Sequence, residues 1–474
     1  MVDILLLNAK IVDVRAKTSF LGHIAIKNGK IEQILSPGAP LPQASREINC
    51  TGLVAAPGFI DVHGHLDGDS YSARLGVMQG ITTTIGGNCG LSPLNMEEYF
   101  AQQEKQGYVI NQAELVGHSF SMRQAVGLAD VNQPASKNQI SQMVAIGRRA
   151  LEQGAAGVSL GLDYSPGASL EEINAMASLA AEYGRILPVH TRLFTQNDLY
   201  SLYEMLSAAK HSGGRLLLSH FVYQYSGFGT LHPALAIVDE ARAKGLDVWA
   251  DSGMYTDWAT YVGTATFDEQ TIQDNSLRFA DMVVATGQYT GARLNRDLYL
   301  HLRHSCPNDS IICFSGKPFE IYDTLTKPYV MMSTDTGPYA PGEGHPQIAG
   351  SYPRYLRKMV QEQKLLSLEE AVYKATLLPA QTFNIQNKGE LAPGFDADIV
   401  LFNMETIWDH AKTPDKGKPD APPEGIPYVF VNGVAAVDEG CFQNTKSGQI
   451  LRYGAQNKKE YFNGTGTGLV AAAV

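Results

Sequence analysis

Short apolar runs alternate with helix-patterned segments through the middle of the chain. The runs fall at Phe59–His63, Thr82–Gly86, Ala113–Gly117, Gly157–Leu160, Ile186–His190, Leu216–His220, Asp247–Asp251 and Val330–Asp335. Each is the length of a strand. Between them, Ser169-Leu-Glu-Glu172 forms a capping box, followed by Ile173, Met176, Ala177 and Ala180 at i, i+3, i+4, i+7 spacing. Ser367-Leu-Glu-Glu370 repeats the device ahead of Ala371, Val372 and Ala375. Eight strand–helix units in an α/β chain favour a parallel (β/α)8 TIM-like barrel. An open doubly wound sheet needs the same alternation, so periodicity alone leaves both architectures standing.

The two ends of the chain read differently from the middle. Ile24, Ile26, Ile31 and Ile34 flank Asn28-Gly29, the preferred two-residue hairpin turn, because both positions accept positive φ. Ile31 and Ile34 break strict alternation, so the second strand of that hairpin is expected to carry an irregularity. Ala397–Phe402 and Tyr428–Gly433 read as further strands. The barrel candidates lie within 57–387, β-rich segments of one kind cover 1–56 and 388–453, and a small, polar, Gly-rich tail covers 454–474. The long stretch 258–329 is expected to be a helical excursion over one barrel face, acting as a lid or binding element.

Composition narrows the function classes. Thirty-seven Lys and Arg against 48 Asp and Glu give a net charge of −11 over 474 residues, which argues against nucleic acid or an anionic membrane as partner. No segment approaches the ~18 uninterrupted apolar residues of a spanning helix, and the N-terminus reads as neither a signal peptide nor an anchor. The five cysteines, Cys50, Cys89, Cys306, Cys313 and Cys441, make no disulfide framework and fit a reducing, cytoplasmic setting. Homo-oligomerisation stays open.

Candidate chemistry sits at the strand ends. The first run closes in His63-Gly64-His65, and residues i and i+2 on a strand project to the same side, which makes half of a metal site. A bare His-x-His is more often two polar loop residues. However, His190 and His220 close two further runs on the face where barrel active sites are built. Asp335 ends the last run; its alternative role is a helix N-cap. Cys89 follows the second run among glycines, in Gly86-Gly87-Asn88-Cys89-Gly90, and a thiolate is a strong zinc ligand.

Together these motifs resemble the metal-dependent amidohydrolase superfamily and, within it, the D-aminoacylase (N-acyl-D-amino-acid deacylase) family. The resemblance is carried by Pro57–His65, Gly80–Gly90, Val116–Arg123, Gly157–Tyr164, Pro188–Arg192, Ser219-His220, Ser367–Pro379 and Gly389–Val400. It implies a small β-sandwich formed by the terminal strands. It also implies Zn2+, tightly held by Cys89, His190 and His220, with a second, looser site of His63, His65 and Asp335. Many binuclear relatives bridge their metals with a modified lysine on the fourth strand. Gly157-Val-Ser-Leu-Gly161 has no lysine, so the resemblance gives the bridge to Cys89. The implied reaction is hydrolysis of a small-molecule amide by metal-activated hydroxide, with Asp335 as general acid and base.

The substrate side departs from the family pattern. Val222 stands where the family commonly has a lysine that contacts a substrate carboxylate, and Phe194 stands near a usual acidic position. Gly253-Met254-Tyr255 replaces a Tyr-Pro-Tyr. Tyr164, Arg192, Tyr255 and His345 are the candidate substrate-binding residues. Two alternatives to an N-acyl-D-amino-acid hydrolase follow. One is a cyclic imide or hydantoin-type ring hydrolase on the same metal site, which Val222 favours. The other is a non-catalytic scaffold, which predicts missing ligands, whereas all six are present.

Overall fold

The computed structural model describes residues 1–192, 199–227 and 229–454. Phe194 and the tail beyond Gly454 therefore lie outside the described residues. Eight parallel strands run through the middle: β1 (Phe59–Asp61), β2 (Ile81–Gly86), β3 (Asn111–Glu114, continuing in Val116–Gly117), β4 (Val158–Gly161), β5 (Ile186–His190), β6 (Arg215–Leu218), β7 (Val248–Ser252) and β8 (Val330–Met332). Each pairs with the next in parallel register. A parallel bridge between Gly64 and Thr336 joins β8 back to β1, so the sheet closes and the open-sheet alternative falls away.

The apolar runs of β5, β6 and β8 follow from burial on both faces. Ile60, Val62, Ile85, Leu115, Leu217 and Met331 fill the barrel interior, while Phe59, Val116, Val158, Leu187, Leu216 and Val330 pack outward. Both capping serines accept the backbone N–H three residues on, at the starts of helices Leu170–Glu182 and Leu368–Ala375.

The chain ends meet in one nine-stranded mixed sheet. Val54–Pro57 pairs with Ile399–Phe402, which in turn pairs with Tyr428–Val431. The sheet curls so far that its edge strand Lys30–Leu35 reaches the segment before Ile399: Ile31 N–H donates to the Phe395 carbonyl at 2.9 Å and Gly394 N–H to that of Ile31 at 2.8 Å. Opposite stretches thus face each other across a core of Leu6, Ile11, Ile24, Ile26, Ile399 and Phe430. The Asn28-Gly29 turn has both residues at positive φ, and the pairing slips at Glu32 beside Ile31, the irregularity its sequence pattern required.

Residues 258–329 are not the helical excursion expected from sequence. Asp257–Tyr261, Ser310–Phe314 and Met282–Val284 form an antiparallel sheet with Ser310–Phe314 in the centre. Short helices Glu269–Asp274 and Arg296–Ser305 accompany it. The apolar runs Met282-Val-Val284 and Ile311-Ile-Cys313 are too short for amphipathic helices. They bury on both sides of the sheet, against Val262, Phe267 and Tyr299 on one face and Ala285 on the other.

Candidate active site

The barrel's closing register assembles one half of the site. Asp335 N–H donates to the His63 carbonyl, and His65 N–H to that of Thr336, each at 2.8 Å. Asp335 Oδ1 thereby comes within 3.5 Å of His63 Nε2 and 3.8 Å of His65 Nε2. His190 closes β5 and His220 follows β6. Cys89 is presented by the tight loop after β2, which its neighbours pin from several sides. Asn88 Nδ2 donates to the Ile85 carbonyl at 2.9 Å. The Ser159 hydroxyl donates to the Gly87 carbonyl at 2.5 Å and accepts from Gly90 N–H at 3.0 Å. At Gly161 a Cβ would lie 2.1 Å from the Cys89 carbonyl oxygen, which explains glycine at the end of β4. Cys89 Sγ ends 3.4 Å from His63 Nε2, 3.7 Å from His190 Nδ1 and 3.8 Å from His220 Nε2.

All six candidate ligands therefore converge. They form three overlapping triads whose donor atoms lie within 4.8 Å of one another: His63/His65/Cys89, Cys89/His190/His220 and His63/His220/Asp335. Cys89 belongs to two triads, and His220 reaches both sides of the cluster. A tetrahedral zinc with Zn–S of about 2.3 Å and Zn–N of about 2.0 Å separates sulfur from nitrogen by about 3.5 Å, close to the observed spacings.

Charge points the same way. Burial pushes the Cys89 thiol up, yet the charge of His63 and hydrogen bonds from His190, His220 and His63 outweigh it and hold the thiol well below its ordinary value. Burial pulls His63 down, but Asp251 and Cys89 outweigh it and raise it well above its usual range. His190 is raised to about 9 against its burial by Asp163 and Cys89. A donor set that pulls protons onto its imidazoles is short of positive charge, and a dication supplies that charge without them.

Around these groups lies a supporting layer that sequence reasoning did not single out. Asp251 Oδ1 accepts from His220 N–H at 2.9 Å and from the Ser333 hydroxyl at 2.7 Å, while its Oδ2 lies 3.4 Å from His63 Nδ1. Neither Oδ2 nor His63 Nδ1 makes a hydrogen bond among the described residues. Gln224 Nε2 lies 3.3 Å from His190 Nε2 and 3.4 Å from His220 Nδ1. Asp163 Oδ2 is 3.8 Å from His190 Nε2 and accepts from the Thr266 hydroxyl at 2.5 Å, tying β4 to the inserted sheet. Partners of this kind fix ring orientation in metal sites. Asp251 ends the seventh apolar run, so the strand-end rule that selects His190 also selects it. Gln224 and Thr266 carry no comparable signal.

The amidohydrolase family profile matches residues 54–435. The chain belongs to the amidohydrolase family. Within it, this amidohydrolase is 33% identical over 444 residues to the N-acyl-D-glutamate deacylase of Alcaligenes xylosoxydans xylosoxydans, covering 86% of this chain and 88% of the relative. It is 27% identical to the D-aminoacylase of the same organism, over 95% and 97% of the two chains. The N-acyl-D-glutamate deacylase of Bordetella bronchiseptica, solved with zinc and a phosphonate mimic of the tetrahedral intermediate, superimposes with a TM-score of 0.82 at 28% identity. That match covers 95% of this chain and all of the other. The amidohydrolase belongs to the D-aminoacylase branch.

Over the cluster of this amidohydrolase opens a cavity of about 730 Å3 between the barrel mouth and the inserted sheet. Of the four candidate substrate contacts, only Tyr164 lines it, with its ring 4.7 Å from that of His190 and its hydroxyl 3.1 Å from Thr260 Oγ1. The other three are engaged elsewhere. Arg192 donates to Glu204 at 2.9 Å, to the Pro166 carbonyl at 2.6 Å and to the Ala168 carbonyl. Buried Tyr255 donates to Asp409 at 3.1 Å and packs edge-on against His345. His345 Nδ1 accepts from Gln347 N–H at 3.1 Å, and its Nε2 faces Asp257 at 3.3 Å. A buried polar side chain must find partners, and these found theirs in the scaffold. Val222 is fully buried in the core rather than in the cavity wall, which its helix reaches through Tyr223 and Gln224.

Proposed function

We infer that this protein is a zinc-dependent amidohydrolase that hydrolyses the amide bond of N-acyl-D-amino acids or close analogues. The observation that carries the reading is the convergence of Cys89 with His190 and His220 at the barrel mouth, beside His63, His65 and Asp335, in a chain of this family. We assign the tight zinc to Cys89, His190 and His220, and a second, weaker position to His63, His65 and Asp335, with Cys89 shared. Bound zinc supplies Lewis acidity and a water of lowered pKa.

The chain's own residues do the rest. Asp335, only partly buried at the cavity wall, takes the proton of the attacking water and returns it to the amine nitrogen as the C–N bond breaks. Asp251, Asp163 and Gln224 hold the imidazoles in place. The five cysteines are free, which supports a reducing, cytoplasmic setting. No helix among the described residues is long and apolar enough to cross a membrane.

The reading is tested by assaying wild type and Asp335→Asn, both zinc-loaded, for amine release from N-acetyl-D-amino acids and their amides, and for ring opening of hydantoins. Wild type should release amine and leave hydantoins closed. The variant should keep the tight zinc of Cys89, His190 and His220 and lose about 10²–10⁴-fold in kcat. Faster hydantoin opening, or an unaffected Asp335→Asn, would contradict the assignment.

A further inference from the structure

We propose that the second polar group of the preferred substrate, the one an N-acyl-amino acid fills with its carboxylate, is an uncharged carboxamide recognised by Asn275. The proposal rests on the deacylase reading above and concerns only which acyl compounds the cavity selects.

Two independent observations carry it. The first is charge. No described Lys or Arg lines the cavity, and the segment 193–198, Leu-Phe-Thr-Gln-Asn-Asp, contains none in its sequence. The ionisable wall around the candidate ligands is acidic instead: Asp67, Asp163 and Glu343 join Asp335. Beyond the candidate ligands, a substrate carboxylate would meet no cation among the described side chains, only carboxyl groups that give it no favourable partner. Buried Val222 supplies no charge either.

The second observation is Asn275, which lies just after helix Glu269–Asp274 of the inserted unit and lines the cavity at 3% exposure. Both polar atoms of its side chain, Nδ2 and Oδ1, lack a hydrogen-bond partner among the described residues. A buried donor and acceptor left unpaired lose their hydration without recompense. A ligand that satisfies both must itself present a donor beside an acceptor, as a carboxamide does. A carboxylate would pair with Nδ2 and set its second oxygen against Oδ1. Sites built to hydrogen-bond a particular group discriminate strongly against analogues that leave the site unpaired. The remaining wall, with Phe120, Tyr164, Trp258, Tyr261 and Tyr339, suits an apolar or aromatic side chain.

The test compares kcat/KM of the zinc-loaded full chain for N-acetyl-D-phenylalaninamide and N-acetyl-D-phenylalanine. The amide should be favoured at least tenfold. Asn275→Ala should shrink that ratio at least tenfold, and the near-isosteric Asn275→Leu, which removes both donor and acceptor while keeping the side chain's bulk, should shrink it as well. Thermal melting of each variant reports whether it folds. Preference for the carboxylate, or a ratio unchanged in both folded variants, overturns the proposal and leaves the deacylase reading intact. Turnover of neither compound by zinc-loaded wild type defeats the deacylase reading itself, and the proposal with it.

Discussion

Cys89, His220 and Asp335 all adopt left-handed backbone, with φ of 54°, 34° and 55°. Each such residue with a Cβ costs on the order of 1–3 kcal/mol, held by its surroundings, and here the surroundings are hydrogen bonds of the kind Ser159 and Asn88 make around Cys89. Each of the three contributes a donor atom to the clustered triads. Asp251 does similar work through contacts, buttressing His220 by its backbone and His63 by its ring. Asp251→Asn should therefore weaken zinc binding by about 10–100-fold, read by competition with a chelator, while the zinc-saturated variant keeps measurable turnover. Unchanged affinity would remove Asp251 from the site. The convergence of the six candidate residues was legible in the sequence because strand ends of a parallel barrel converge. That Arg192, Tyr255 and His345 lie outside the cavity wall was not. Arg192, Tyr255 and His345 have the right chemistry, but their partners, Glu204, Asp409 and Asp257, come from distant positions that no local pattern reveals.

At the scale of elements, helix Leu170–Glu182 shows one residue serving two ends. Glu172 completes the capping box with Ser169, which the sequence announces. Its carboxylate also accepts from His118 Nε2 at 2.8 Å and Arg123 at 2.5 Å, joining the helix to the loop after β3, which it does not announce. Burial opposes ionisation of Glu172, but His118 and Arg123 outweigh it and bring its pKa down to about 2. A carboxylate depressed in the folded state contributes stability above its ordinary pKa, and that contribution is lost as pH falls through the folded value. Glu172→Gln should cost about 2–3 kcal/mol at pH 6, with the gap to wild type closing between pH 4.5 and 2. Denaturant unfolding across that range measures it, and a gap independent of pH would contradict the charged network. The inserted sheet was the element least legible in sequence. Its strands are three to five residues long and pair across gaps that hold helices, so neither period dominates any window.

For the whole molecule, the order of elements was readable because each barrel strand lies beside its sequence neighbour. The curled terminal sheet was readable only as two sets of strands, since their pairing joins Val54–Pro57 to Ile399–Phe402 across the length of the barrel. The Asp335 carboxylate, the Cys89 thiol held low and the raised imidazoles make the cavity a place for a dication, and the proposed function depends on that ion and on the hand of the substrate. The decisive measurement is amine release from matched N-acetyl-D- and N-acetyl-L-phenylalaninamide and their free acids, followed as zinc is stripped by a chelator and titrated back. The account predicts turnover of the D compounds in strong preference to the L, lost on stripping and restored as the first zinc per chain returns. Turnover that persists without metal, or that favours the L series, would contradict it.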